Sequence, residues 1–462
     1  MIEKPSVELV NKYLNAKGSF YTSYPVVALW DGDYYQTPES EILSKLDFSE
    51  PTNVYIHFPF CEHQCYYCIC HTVISSNREK MDKFMTYILK EIDILAEYYK
   101  KNDIKPNIKE IHLGGGSPTL MTQNDLTNLK EKLSKFIDFS SLQEFNIEID
   151  FRTIDKNDLI FYNNLGINRL SFGIQDFDLK VQEGINRVQD KKLLEDLLTA
   201  DIKKMFTSIN FDLIYGFPHQ TTESFIKTIE TVNQFDPDRI SLYSYGHRPE
   251  AYAHHGLMDT KNLPGDLEKI DIKFNAINSL IDSDYIMVGI DHFAKKTDAM
   301  CQAKKDNRIS RSFMGYTPGR CPNILGIGPS SMSSIEDYYF QNVYDLKQYY
   351  ALIEENKLPI FRGYQLNEDD LIRREVINDL MTNFYVNFER ISSKFEIDFK
   401  SYFSVELTQF ETLIDDNLVN VNDDSIKITD VGENFARNVA KIFDKYFTEE
   451  VAFGHSKKMI KK

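Results

Sequence analysis

The sequence predicts an α/β fold built from six βα units around a parallel sheet, followed by a second, mostly helical domain. Two observations predict it. Six short segments rich in β-branched and aromatic residues recur between residues 54 and 245, each followed by a segment with helical spacing of apolar positions, the pattern of right-handed βαβ units. Beyond residue 365 the pattern changes to helices enclosing one hairpin, Leu418-Val-Asn-Val and Ile426-Lys-Ile-Thr with a turn at Asp423-Asp424, which reads as a winged-helix-like module.

The first strand, Val54 to Phe60, delivers four of the chain's six cysteines, Cys61, Cys65, Cys68 and Cys70, within ten residues. Clustered thiolates favour soft metals. A zinc ribbon would supply a second short ligand pair far along the chain, and none follows. Cys-x₃-Cys-x₂-Cys fits three irons of a [4Fe–4S] cluster and leaves the fourth iron open to a substrate or cofactor. A zinc knuckle and a disulfide pair are the alternatives.

Arg78 to Lys101 places Met81, Phe84, Ile88, Ile92 and Leu95 at helical spacing. Lys109-Glu-Ile-His-Leu is the second strand and runs into Gly114-Gly-Gly-Ser-Pro-Thr119, a glycine turn able to lie against a ligand. The remaining strands are expected at 144–150, 169–175, 208–216 and 239–245. Glu148, Gln175 and Asp212 stand at or near the carboxyl ends of apolar strands, where parallel barrels place chemistry and an unpaired polar group is costly. Each of them could equally cap a neighbouring loop or helix. A boundary near 365 precedes the acidic helix start Glu368-Asp-Asp, which suits the helix dipole.

In these motifs the chain resembles the radical S-adenosylmethionine (SAM) enzymes, whose signature is Cys-x₃-Cys-x₂-Cys. The extra Cys70 narrows the resemblance to the oxygen-independent coproporphyrinogen III oxidases (dehydrogenases). The resemblance implies a partial (β/α)₆ radical SAM barrel at 51–300 and an N-terminal arm at 1–50. It also implies a barrel extension at 301–364, a helical C-terminal domain at 365–450 and a tail at 451–462.

It implies that Cys61, Cys65 and Cys68 ligate the cluster and that SAM chelates the open iron, its one-electron cleavage giving a 5′-deoxyadenosyl radical. By position, Ile-Glu-Ile-Asp, Gly-Ile-Gln-Asp-Phe, Ile-Asn-Arg-Val-Gln and Phe-Asp-Leu-Ile-Tyr-Gly match family motifs. The matches make Glu148, Gln175, Arg187 and Asp212 contacts of the first SAM, with Gly114, Gly115, Gly116 and Ser117 against its methionyl part and Tyr55 beside it. Arg187 is suited to a carboxylate because its planar fork binds one bidentately.

Asp291-His-Phe-Ala, Phe313-Met-Gly-Tyr-Thr317 and Leu325 to Met332 resemble the region of a second SAM. Tyr55, Cys70, Phe313 and Met314 are the candidate catalytic residues, and Met332 a further cofactor contact. Arg437-Asn-Val-Ala-Lys-Ile-Phe-Asp-Lys-Tyr446 matches a C-terminal family pattern. Three departures stand out. Ser117 replaces threonine, Phe20 replaces an arginine ahead of Tyr21-Thr-Ser-Tyr-Pro25, and Met314 replaces a glutamine, which weighs against a second SAM in its usual orientation.

Composition sets outer bounds. The chain has 462 residues, 42% hydrophobic and 27% charged, ordinary for a globular protein. A net charge of −17 argues against nucleic acid or an anionic membrane as partner. No signal peptide and no membrane-spanning run are read, and clustered thiols suit a reducing, cytoplasmic compartment. Lys457 to Lys462 reads as a solvated tail. The expected partners are a tetrapyrrole, coproporphyrinogen III or haem, and a flavodoxin-type or other low-potential electron donor, with the chain a monomer. The resemblance implies three candidate functions: decarboxylation of coproporphyrinogen III propionates to vinyl groups, an anaerobic haem-degrading radical SAM methyltransferase, and a haem-trafficking protein on the same fold.

Overall fold

The structure is a computed structural model that describes residues 2–13, 19–30, 50–319 and 321–448. The expected tail and part of the arm lie outside the described residues. The six expected strands are present as β1 (Thr52–Phe58), β2 (Ile108–Gly115), β3 (Glu144–Ile149), β4 (Arg169–Gln175), β5 (Ser208–Tyr215) and β6 (Arg239–Ser244). They pair in chain order, all parallel. A seventh parallel strand, β7 (Asn323–Ile327), lies on the outer side of β1. It falls within a stretch that sequence reading assigns only to cofactor binding, because a five-residue run interrupted by Gly326 and followed by Gly328 carries little periodicity of its own.

The sheet is open. Antiparallel strands extend it at both edges: Met332–Ile335, Tyr338–Asn342 and Ile360–Gln365 beyond β7, His292–Lys295 and Tyr285–Met287 beyond β6. It is also curled. Arg239 on β6 donates to Glu144 on β3 at 2.6 Å although two strands intervene, and a flat sheet would hold those backbones about 14 Å apart. This contact, with Arg169–Glu144 at 2.7 Å and Arg239–Asp298 at 2.9 Å, plugs the amino-terminal end of the barrel with paired charges. The carboxyl-terminal end is left for chemistry.

Local sequence explains the pieces. β1 is buried on both faces except at Tyr55, as a central parallel strand must be. The helix α1 (Arg78–Lys101) is capped by Asn77, whose side chain accepts from Lys80 N–H, and it buries Met81, Phe84, Ile88, Ile92 and Leu95 on the sheet. Its one buried acid, Glu91, bonds Gly328 N–H, Asn342 and Tyr349, tying the helix to the β7 edge.

Beyond 365, the helix α2 (Glu368–Thr382) begins with an Asn367–Asp370 capping box. The expected hairpin gains a third strand, Tyr385–Asn387, beside Ser425–Ile428 and Val419–Val421. Their core, with Val376, Leu380, Phe399, Phe403 and Phe443, also takes in Tyr13, Tyr21 and Tyr24 of the arm. The arm is thus wedged between two units: Tyr21 donates to Asp444 at 3.0 Å, Tyr339 donates to the Tyr24 carbonyl at 3.1 Å, and Trp30 stacks on Tyr339 at 5.0 Å.

Candidate active site

The cysteine loop leaves the carboxyl end of β1 and is pinned on several sides. Gly116 N–H donates to Phe58 O and Ser117 N–H to Phe60 O, both at 2.7 Å. Tyr66 N–H donates to Ile185 O at 3.0 Å, Asn186 to the Gln64 carbonyl at 2.8 Å, and His254 Nε2 to the Cys68 carbonyl at 2.6 Å. The loop is held in shape by backbone bonds that ask nothing of its thiols.

All six cysteines are free, so the disulfide alternative falls. Among the described residues no three His, Cys, Asp or Glu side chains converge on one point as ligands of a single ion would. A cubane, which takes one thiolate per iron, spreads its sulfurs wider. Cys65 is buried, Cys61 and Cys68 partly so, and Cys70 is exposed.

Burial pushes the Cys61 thiol up to about 12 against the opposing Ser117 hydroxyl, which donates to its Sγ at 3.6 Å. Metal binding must therefore draw that proton off. A hydrogen bond between Cys68 and Cys70 lowers the first thiol and raises the second.

The triple glycine is explained first by protein packing. A Cβ at Gly116 would lie 2.5 Å from Phe60 O, one at Gly114 2.8 Å from Glu148 Oε1, and one at Gly115, whose φ is +111°, 2.7 Å from the His57 ring. Glycines here let β2 close onto the cysteine strand and onto Glu148.

Inside the barrel mouth, alternate residues of β1, β2 and β3 form a connected layer. Asn146 donates to His112 Nδ1 at 2.8 Å, which leaves His112 Nε2 to donate to Glu148 Oε1 at 3.0 Å. Gly115 N–H donates to Glu148 Oε2 at 3.1 Å. Burial would raise the Glu148 carboxyl, but these two bonds outweigh it and hold it below its ordinary value. Tyr55 stacks on His112 at 5.7 Å and donates to His57 Nδ1 at 3.1 Å, while His57 Nε2 donates to the His71 carbonyl at 2.9 Å. Burial lowers His57 to about 4, so it is neutral.

On the far side Gln175, left-handed at φ +65°, and Arg187 meet over Gly173. A Cβ there would lie 3.0 Å from Gln175 Nε2 and 3.1 Å from Arg187 Nη2. Arg187 Nη1 reaches Cys65 Sγ at 3.7 Å and Asp150 at 3.5 Å, and Nη2 donates to Gly173 O at 2.9 Å. Gln175 Oε1 and Arg187 Nε are buried with no hydrogen-bond partner among the described residues. Asp212 accepts from Ser171 at 3.0 Å and Asn210 at 2.9 Å, and burial raises its carboxyl. Free thiols beside two buried polar atoms that lack a partner among the described residues fit a thiolate-held cluster with a polar ligand next to it.

The structure therefore gathers Cys61, Cys65, Cys68, Tyr55, Gly114 to Ser117, Glu148, Gln175, Arg187 and Asp212 around one barrel end. Phe313, Met314 and Met332 belong elsewhere. Phe313 and Met314 form the turn between strands Ser310–Ser312 and Gly315–Thr317. Phe313 lies edge-on to Trp30 at 5.8 Å, and Met332 packs into the same aromatic group. Sequence reading missed His57, His112 and Asn146. Their signal is parity: each stands two residues from Tyr55, Gly114 or Glu148 on its own strand, and a period of two puts each pair on one face.

Residues 55–232 match the Radical SAM superfamily and residues 366–432 the HemN C-terminal domain. With three free thiols at the first strand's end of a parallel barrel, the chain is a member of the radical SAM superfamily. Membership implies a [4Fe–4S] cluster and SAM. The chain is 34% identical to the oxygen-independent coproporphyrinogen III oxidase of Escherichia coli (strain K12) over 442 residues, 96% of this chain and 95% of that protein. It is 35% identical to that of Helicobacter pylori (strain J99) over 437 residues, 93% and 94%. The solved structure of the E. coli coproporphyrinogen III oxidase, described as a radical SAM enzyme, superposes with a TM-score of 0.89 at 33% identity, covering 96% of this chain and all of that one. Within the superfamily, the chain belongs to the oxygen-independent coproporphyrinogen III oxidase family. No helix among the described residues is long and apolar enough to cross a membrane.

Proposed function

We propose that this chain carries out the oxygen-independent oxidative decarboxylation of coproporphyrinogen III, converting propionate side chains to vinyl groups. The observation that carries the reading is the site at the barrel mouth, three free thiols beside the orphaned Gln175 and Arg187, in a chain alike over its whole length to oxidases of that name. When bound, the cluster and SAM supply the one-electron chemistry that removes a hydrogen atom from a propionate side chain.

The chain's own residues hold and orient. Cys61, Cys65 and Cys68 ligate the cluster. Arg187 offers its unpartnered Nε edge to a carboxylate, and Gln175 an acceptor oxygen. Glu148, ionised and aimed by His112 and Gly115, accepts from a hydroxyl or amino group, with Asp212 a second acceptor. Gly114 to Ser117 keep the backbone close, and Tyr55 closes the layer on the β1 side. Cys70 stands at the exposed rim of the loop.

Around Phe313, Met314 and Met332 we place a second, weaker SAM, weakened because a thioether stands for an amide at 314. A flavodoxin-type or other low-potential donor supplies the electron, and the chain acts as a monomer. The arm (1–50), barrel (51–300), extension (301–364) and C-terminal domain (365–450) enclose the substrate together.

The test is an anaerobic assay of the cluster-reconstituted, reduced protein with SAM, offered coproporphyrinogen III in one tube and haem in another, products read by mass. Loss of carbon dioxide from the porphyrinogen is expected. A methylated or ring-opened haem instead, or haem bound with no product in either tube, would replace this reading with a haem-processing or haem-carrying one.

A further inference from the structure

Three cations meet where the arm, the barrel mouth and the C-terminal domain come together. They are Lys273 from the helix Asp266–Asp282, Arg311 from the strand Ser310–Ser312 and Arg437 from the helix Ala436–Ala440. Among the described residues none of them makes an ion pair. Lys273 donates to the Asn434 side chain at 2.8 Å. Arg311 gives Nη1 to the backbone carbonyls of Phe20 and Tyr21, at 2.8 and 2.9 Å, and lies over the Tyr316 ring at 5.6 Å. Arg437 makes no hydrogen bond within the described chain. Its guanidinium lies 4.6 Å from the centroid of the Phe20 ring, and its Nε is buried without a partner.

The carboxylate recorded facing them among the described residues, Asp291, is already taken by His292 Nδ1 at 2.7 Å. Burial would raise Asp291, but His292, Arg311 and Arg437 hold it at about 2. Burial, helped by Arg437, brings Lys273 down to about 8 against the pull of Asp291. Positive charge is thus in excess at this point of a chain whose net charge is −17. A desolvated cation left without a partner is expensive, and an anionic ligand is the simplest way to relieve it.

The place suits a substrate. Asp291 O accepts from Leu242 N–H at 2.7 Å at the carboxyl end of β6, and His292 Nε2 meets Tyr243 OH at 3.4 Å. The cations therefore border the same barrel mouth as Glu148 and Asp212. Phe20 also gains a reason. Where an arginine would have carried its own charge, a ring now supports the guanidinium of Arg437 face-on, leaving the N–H fork free along its edge for bidentate contact.

We propose that Arg437 and Arg311, with Lys273 behind them, bind a carboxylate of the tetrapyrrole that is not the one reacting, and that Phe20 is the platform holding Arg437 for it. This rests on the reading of the substrate given above.

The test titrates the cluster-reconstituted, SAM-bound protein with coproporphyrin III, the stable oxidised tetracarboxylate, following porphyrin fluorescence. Wild type is compared with Arg437→Gln, Arg437→Lys and Arg311→Gln. Cluster absorbance and SAM affinity are read for each, to show that the barrel is intact. Each glutamine variant is expected to bind coproporphyrin III about ten- to a hundredfold more weakly, the range for losing a charged hydrogen-bond partner, and Arg437→Lys to recover part of the loss. Both glutamine variants binding as wild type does would overturn the proposal. Should Arg437→Gln fail to fold, Arg311→Gln and Arg437→Lys decide it in the same terms. Turnover of coproporphyrinogen III by wild type separates the two readings. Charge-dependent binding without decarboxylation defeats the proposed activity and leaves the carboxylate site standing, whereas decarboxylation with charge-independent binding does the reverse.

Discussion

Gly116→Ala adds one methyl group where the glycine turn meets the cysteine strand. Its Cβ would lie 2.5 Å from Phe60 O and 2.9 Å from the carbonyl carbons of Phe60 and Pro59. Carbon rarely approaches a carbonyl oxygen closer than 3.0 Å, so the two backbones must part by about 0.5 Å. That opening falls on two hydrogen bonds, Gly116 N–H to Phe58 O and Ser117 N–H to Phe60 O, both 2.7 Å. It would stretch them to about 3.2 Å, the edge of the useful range.

The obstructing atoms are backbone and cannot rotate away. The cost is that of overpacking, about 1–3 kcal/mol, and it is delivered one residue before Cys61. If it falls on the cluster-binding conformation, cluster retention weakens by about five- to a hundredfold. Gly114→Ala is the control. Its Cβ would meet the ends of the Glu148 and His112 side chains at 2.8 and 3.0 Å, which can swing aside, so SAM affinity should fall while the cluster stays. The assay is iron and acid-labile sulfide per chain after anaerobic reconstitution, with urea unfolding of the apo protein alongside. Full cluster content in Gly116→Ala, with an unchanged unfolding midpoint, would refute the reasoning.

Three further outcomes are expected. Cys65→Ala removes the buried thiol beside Arg187 and should abolish both cluster retention and SAM cleavage; full iron and sulfide with intact cleavage would end the cluster assignment. Glu91, raised by burial from 4.5 to about 7 against its bonds to Tyr349, Gly328 and Asn342, keeps its proton in the folded protein where the unfolded chain releases it. Its stabilisation is therefore complete below about pH 4.5 and lost as pH rises through about 7, amounting to about 3 kcal/mol. Wild type should lose that much relative to Glu91→Gln between pH 4.5 and 8 in urea unfolding, and parallel pH profiles would count against it. Met314→Gln restores a hydrogen-bonding side chain and should tighten a second SAM by about three- to tenfold. Equilibrium dialysis giving an unchanged stoichiometry and affinity would remove Met314 as the reason for its weakness.

Whatever is local or periodic was legible in the residues alone. The strand-helix alternation predicted six parallel strands in chain order, and the spacing of Cys61, Cys65 and Cys68 pointed to a three-thiolate cluster site before any contact was known. The helix over 78–101 lies where its apolar spacing put it. These features depend on the period of backbone geometry and on ligand count, both of which are written in adjacent residues.

What depends on distant segments approaching one another emerged only in the folded chain. That His112 aims Glu148 follows from register between β2 and β3. That β7 pairs with β1 depends on residues some 270 positions apart in sequence closing on each other. The glycine turn looked like room for a ligand, and the atoms it first makes room for are Phe60, His57 and Glu148. Phe20, read as a cation lost, turned out to lie under Arg437, more than four hundred residues away. A chain can announce which side chains it carries at each strand end. Only the closed fold, by bringing together segments that no local rule relates, fixes which of them face one another.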